Sequence, residues 1–204
     1  MLFEDKYKTV KTSSRGLYKD RGSKFIGFVI PVNTEAKAKE ELEKIKKEYH
    51  DARHHCYAYR LGWDHSAHRI NDDGEPAGSA GKPIFGQIRS YELTNVLIVV
   101  IRYFGGVKLG IRGLIDAYKG AAQDAINNNT VVTRTVKEKL HLHFGYPQMG
   151  KVMHIIKENN LEQRKTKLEV ECDIIIAVRR LKVDEITEQF RKIEGITVTR
   201  IGLA

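Results

Sequence analysis

Three carboxylates fall within four residues at Asp72, Asp73 and Glu75, inside the run Asn71-Asp72-Asp73-Gly74-Glu75-Pro76-Ala77-Gly78-Ser79-Ala80-Gly81-Lys82-Pro83. Carboxylates crowded in this way can hold a hard cation, or do acid–base work because one of them is forced to keep its proton. The spacing of an EF-hand loop is absent, and the same residues also fit an acidic turn whose Asp-Gly step supplies the geometry. Ser79 does not sit on a nucleophile elbow, since Ala77 stands where Gly-x-Ser-x-Gly requires glycine. The small residues around Ser79 and Lys82 suit a close approach of backbone to backbone or to a ligand.

A second stretch, Arg102-Tyr103-Phe104-Gly105-Gly106-Val107-Lys108-Leu109-Gly110-Ile111-Arg112-Gly113, runs from an apolar strand pattern through glycines into a helix start. Backbone N–H groups at such a terminus favour anions, and Arg102, Lys108 and Arg112 add positive charge, so a phosphate group is the natural ligand. Gly105 to Gly110 has the glycine spacing of a P-loop, but Ile111-Arg112 replaces the required Lys-Ser/Thr, and no Gly-x-Gly-x-x-Gly occurs. This argues against an ATPase. A tight strand-to-helix turn through Gly105 and Gly106, with exposed basic residues, fits the same pattern.

Histidines crowd at His50, His54, His55, His65 and His68 with Cys56 beside them, and imidazole and thiolate are zinc ligands. However, His54-His55-Cys56 opens a strand, where neighbours point to opposite faces, and neither a Cys-x-x-Cys pair nor a His-Glu-x-x-His helix supports a site. No metal and no cofactor is expected. His54 or His55 can instead contact phosphate or act as a general base near neutral pH.

The elements that must position these residues follow from periodicity. Gly16 to Tyr18 and Lys24 to Val32 read as a hairpin about Gly22-Ser23, and Ala38, Leu42, Ile45 and Tyr49 mark one face of a helix capped by Asn33. Cys56 to Leu61 reads as a strand, followed by a long loop from Gly62 to Pro83; long ordered loops tend to be functional. The run Val96-Leu97-Ile98-Val99-Val100-Ile101 is too short for a helix and reads as a strand buried on both faces, with a helix from Ile111 to Asn127 after it. The last third reads as strand Lys139 to Phe144, helix Pro147 to Asn159, strand Leu168 to Val170, strand Asp173 to Val178, helix Val183 to Ile193 and strand Ile196 to Ile201. That β-α-β-β-α-β order predicts a ferredoxin-like domain, with a boundary near residue 136 and domains at 1–136 and 137–204.

With 41% hydrophobic residues and only 4 prolines among 204, the chain has enough apolar side chain for a folded core. The net charge of +9 favours an acidic partner such as RNA. Neither half is a basic tail: 22 basic against 16 acidic residues before the boundary give +6, and 13 against 10 after it give +3. Two distant cysteines, Cys56 and Cys172, point to a reducing compartment. Met1-Leu2-Phe3-Glu4-Asp5-Lys6 lacks the apolar stretch of a signal peptide and no run is long enough to span a bilayer, so a cytoplasmic protein without membrane contact is expected.

Taken together, Arg53-His54-His55-Cys56-Tyr57-Ala58-Tyr59-Arg60, the Asp72 to Pro83 run, Val100 to Gly110 and Gly113-Leu114-Ile115-Asp116-Ala117-Tyr118 resemble the IMPACT or YigZ family, also called uncharacterised protein family 0029. The chain carries Ser79 where the family commonly has threonine, and Arg112 where it commonly has a small residue. The resemblance implies an α+β protein with an N-terminal domain like the second domain of ribosomal protein S5. It also implies a C-terminal domain similar to the last domains of elongation factor G. It further implies a link to translation, since eukaryotic relatives bind a ribosome-associated activator of a stress kinase. Two functions are then open. One is a non-enzymatic protein binding RNA, the ribosome or a translation-associated protein through the Arg102–Arg112 and Asp72–Lys82 loops. The other is an enzyme on a phosphorylated or nucleotide-like small molecule, using the Asp72, Asp73 and Glu75 carboxylates.

Overall fold

The computed structural model describes residues 5–203, so the signal-peptide reading at residues 1–4 lies outside the described residues. The chain forms two compact bodies: residues 7–134, and residues 135–203 together with residues 5 and 6.

In chain order the first body holds β1 (Lys6–Val10), β2 (Ser14–Asp20), β3 (Ser23–Pro31), α1 (Glu35–Glu48), β4 (His54–Leu61), β5 (Ala67–Asn71), α2 (Gly81–Ser90), β6 (Val96–Tyr103), α3 (Gly110–Asn127) and β7 (Val131–Thr135). Five strands form one sheet in the order β2-β3-β6-β4-β5, with every neighbouring pair antiparallel; β1 and β7 pair separately. Strand β6 explains its own sequence. Val96, Ile98 and Val100 pack with α2 and α3 on one face, while Leu97, Val99 and Ile101 pack with α1 on the other, so all six are fully buried. A strand covered on both faces has no polar side to alternate with, which accounts for the unbroken apolar run.

Alternation along the strands then sets the site. Phe25 on β3, Arg102 on β6 and His54 on β4 are cross-strand partners in one row. By the two-residue period Arg102 and His54 fall on the same face as Val100 and Cys56, the face covered by α3.

The second body runs β8 (Lys137–Gly145), α4 (Met149–Glu158), β9 (Glu162–Leu168), β10 (Glu171–Arg179), α5 (Val183–Arg191) and β11 (Ile196–Leu203). Its sheet has the order β11-β8-β10-β9. Leu142, Phe144, Ile174 and Ile176 bury one face against Val152 and Ile156 of α4 and Ile186 and Phe190 of α5. Asp5 joins this body: its buried carboxylate accepts from Arg179 Nε at 2.5 Å and Nη2 at 2.9 Å.

Several expectations are corrected. Thr34, not Asn33, caps α1, its hydroxyl accepting from Lys37 N at 3.1 Å. The hairpin turn sits one residue earlier, at Arg21-Gly22, both with positive φ. The long loop of residues 62–83 contains β5 and the start of α2; β5 is a short, partly exposed edge strand with no apolar alternation to read. The strand expected at Leu168 to Val170 lies at Glu162–Leu168 instead, and Val170 is 84% exposed in the turn beyond it. Strand β9 is an edge strand exposed at every residue and rich in Lys and Arg, the composition that discourages edge-to-edge pairing and hides a strand from apolar pattern reading. Pro147 opens a 3₁₀ turn, Tyr146–Gln148, ahead of α4.

Candidate functional site

Each carboxylate of the acidic loop is engaged inside the protein. Asp72 Oδ1 accepts from the backbone N–H of Ala80 at 3.0 Å and Gly81 at 2.8 Å, and Oδ2 accepts from Gly78 N at 2.9 Å. Helix α2 has no side-chain cap of its own, so Asp72, nine residues before the first residue of the helix, satisfies N–H groups that the helix start leaves without intrahelical partners. Burial pushes the Asp72 carboxyl up, but the Gly78, Gly81 and Ala80 donors and nearby Lys82 outweigh it and hold the group below its ordinary value. Asp73 Oδ2 accepts from His55 N at 2.7 Å. Ser79 is buried and donates its hydroxyl proton to Pro76 O at 2.6 Å, bracing the loop.

Glu75 turns inward. Its Oε1 accepts from Arg102 Nη1 at 2.7 Å and from the Tyr118 hydroxyl at 2.8 Å, with both charged partners buried. Cys56 completes the cluster, its Sγ 2.9 Å from Asp72 O and 3.3 Å from the Tyr118 oxygen. Burial pushes the Cys56 thiol and the Tyr118 phenol far above their ordinary values, so both stay protonated and neither serves as a nucleophile at neutral pH. The three carboxylates therefore point to three separate sets of partners and do not converge on a shared cation or proton. Among the described residues no group of three or more His, Cys, Asp or Glu is placed to hold a metal ion.

Arg102 is corrected from an exposed phosphate ligand to a buried ion-pair partner, 9% exposed, because the strand period turns it onto the α3 face. Its guanidinium carbon lies 5.5 Å from the Phe25 ring centre and 5.6 Å from that of Phe104. Its Nε is buried with no hydrogen-bond partner. In front of it opens a cleft of about 260 Å³ lined by Arg53, His54, Arg102, Phe104 and Lys108. His54 Nδ1 lies 2.7 Å from Asp73 O; a carbonyl only accepts, so Nδ1 carries a proton, which in the neutral ring leaves Nε2 as an acceptor.

The remaining candidates separate. His55 faces away, its Nε2 3.0 Å from Tyr49 O, as alternation along β4 requires. Gly105 donates its N–H to Ser23 Oγ at 3.1 Å, and a Cβ there would stand 1.9 Å from the Gly22 carbonyl carbon, so only glycine lets these two turns touch. Gly106 is exposed with φ of +89°. Lys82 and Arg112 are exposed on the first turns of α2 and α3 and do not line the cleft. Sequence reasoning gives Tyr118, Phe25, Arg53 and Phe104 no role of their own in the site. The parity of β6 places Arg102 on the α3 face, and that was the available signal.

The geometry defines a mixed α/β protein of two bodies whose first body carries a cation-lined cleft braced by a buried Glu-Arg-Tyr cluster. Residues 21–126 match the model of the Impact N-terminal domain. The IMPACT family member YvyE of Bacillus subtilis is 37% identical over 153 residues, 75% of this chain and 70% of that protein. The IMPACT family member YigZ of Escherichia coli is 36% identical over 129 residues, 62% of this chain and 63% of that protein. A crystal structure described as a hypothetical protein superposes with a TM-score of 0.75 at 26% identity, covering 98% of each chain. The chain belongs to the IMPACT family.

Proposed function

We propose that this chain is a non-enzymatic, cytoplasmic binding protein of the translation apparatus, engaging RNA phosphates or a ribosome-associated partner through the cation-lined cleft of its first body. One observation carries the reading: the acidic loop spends its carboxylates on internal hydrogen bonds, while Arg53 and Lys108 remain exposed at the cleft. The net charge of +9 supports an anionic partner. The antiparallel β11-β8-β10-β9 sheet with α4 and α5 on one face supports a ferredoxin-like second domain, and the family resemblance supports an S5 domain 2-like first domain. We place the boundary between them at residue 136.

Co-sedimentation of the full chain with ribosomes and with total RNA across a salt series tests the reading. Phosphate contacts make log K fall linearly with log salt, and an Arg53→Ala/Lys108→Ala variant is expected to flatten that slope while staying folded. Binding to neither ribosomes nor RNA at low salt would overturn it. The alternative, catalysis by Asp72, Asp73 or Glu75, is weakened because Asp72 and Glu75 are spent on internal hydrogen bonds and the three carboxylates do not converge.

A further inference from the structure

The geometry points to a narrower ligand for the cleft: a single unpaired nucleotide, with its base stacked on Phe104 and its phosphate against Arg53 and Lys108. This inference rests on the anion-binding reading above and adds a base-recognition element to it.

The lining has two exposed cations, Arg53 and Lys108, beside the Glu75-paired Arg102, with one imidazole, one aromatic ring and no carboxylate, so it selects for negative charge. Its volume of about 260 Å³ falls just below the range of about 300–1,000 Å³ typical of drug-sized ligands, which suits one base rather than a folded or extended macromolecular segment. Phe104 is 55% exposed, unusual for an aromatic ring, yet it is not loose, because the Arg102 guanidinium lies 5.6 Å from its centre. Arg102 is itself held from behind by Glu75 and by the Phe25 ring at 5.5 Å. The stack Phe25, Arg102, Phe104 thus ends in an open aromatic surface fixed in orientation before any ligand arrives, the arrangement on which bases stack without losing side-chain entropy.

One further group fits the same ligand. His54 Nε2, an acceptor in the neutral ring whose Nδ1–H bonds the Asp73 carbonyl, can accept a hydrogen bond from a ribose hydroxyl or a base N–H. An acidic peptide would satisfy the cations but would leave the exposed ring without a matching π-face.

The test uses the full chain and a fluorescein-labelled oligoadenylate of five ribonucleotides, beside the same ribose–phosphate strand with all five positions abasic. The wild-type protein is expected to bind the intact strand about 5- to 100-fold more tightly. Phe104→Leu is expected to erase that difference; Lys108→Ala is expected to weaken both strands alike. Adenosine monophosphate added as competitor identifies the source of the nucleotide: displacement near its own Kd points to a free nucleotide, and failure to displace points to a strand. Equal binding of intact and abasic strands by the wild type would overturn the stacking proposal while leaving the anion-binding reading in place. Displacement by polyglutamate as effective as that by the oligonucleotide would also overturn it, in favour of an acidic peptide. Loss of all RNA and ribosome binding in the sedimentation assay would defeat both readings.

Discussion

The loops at residues 72–80 and 104–109 each carry charge and two glycines, and they use them in opposite directions. In the first, Asp72, Asp73, Glu75 and Ser79 all bond to backbone or buried side chains of the same body. In the second, Phe104, Val107 and Lys108 stand in solvent, and the loop is tied down chiefly at Gly105. A carboxylate can accept several backbone N–H bonds and so organise a tight loop, whereas lysine has only donors and a strongly hydrated charge that stays at the surface. Dense chemistry in a sequence therefore marks two different things: a loop that builds itself, and a loop left open for something else.

The sharpest way to break this comparison is Glu75→Gln. Removing one partner of a buried ion pair leaves Arg102 charged and uncompensated, and a loss of about 3–5 kcal/mol in denaturant unfolding is expected. A cost as small as that of a surface substitution would mean that the inner loop is no more structural than the outer one. Next in size, Gly105→Ala is expected to cost about 1–3 kcal/mol by forcing the Gly22 turn away, measurable as a fall in Tm.

The pH dependence of Asp72 sharpens the contrast further. Its native carboxyl titrates below the ordinary value of about 3.9, so its stabilising effect is complete above that pH and disappears as pH falls through the depressed native value. Wild type and Asp72→Asn are thus expected to differ in stability by a constant amount at neutral pH and to converge in acid, in urea titrations repeated at each pH. The smallest effect belongs to Lys108→Ala, within about 0.5 kcal/mol of wild type in stability, with the salt slope of RNA binding reduced by about 1.

Much of the fold is legible where side chains repeat with a clear period. The β6 run announces a strand covered on both faces, Ala38, Leu42 and Ile45 announce α1, and the order of elements after residue 136 follows from successive apolar stripes. Strands β5 and β9 are not legible, because edge strands need no apolar face and β9 carries none. The site shows the same division. Its residues stand out by type, but which of them are spent internally depends on contacts such as Arg102 with Glu75, 27 residues apart, and Tyr118 with Glu75, 43 apart. No local pattern encodes those pairings, although the two-residue period of β6 already turned Arg102 inward.

The bond between Asp5 and Arg179 joins residues 174 positions apart. At about 5–20 residues per second, a ribosome takes roughly 9–35 s to add the second partner after the first. For that interval Asp5 waits without its guanidinium. The second body therefore reaches its final form only after nearly the whole chain has been made, while the first has every strand of its main sheet once residue 103 has left the tunnel.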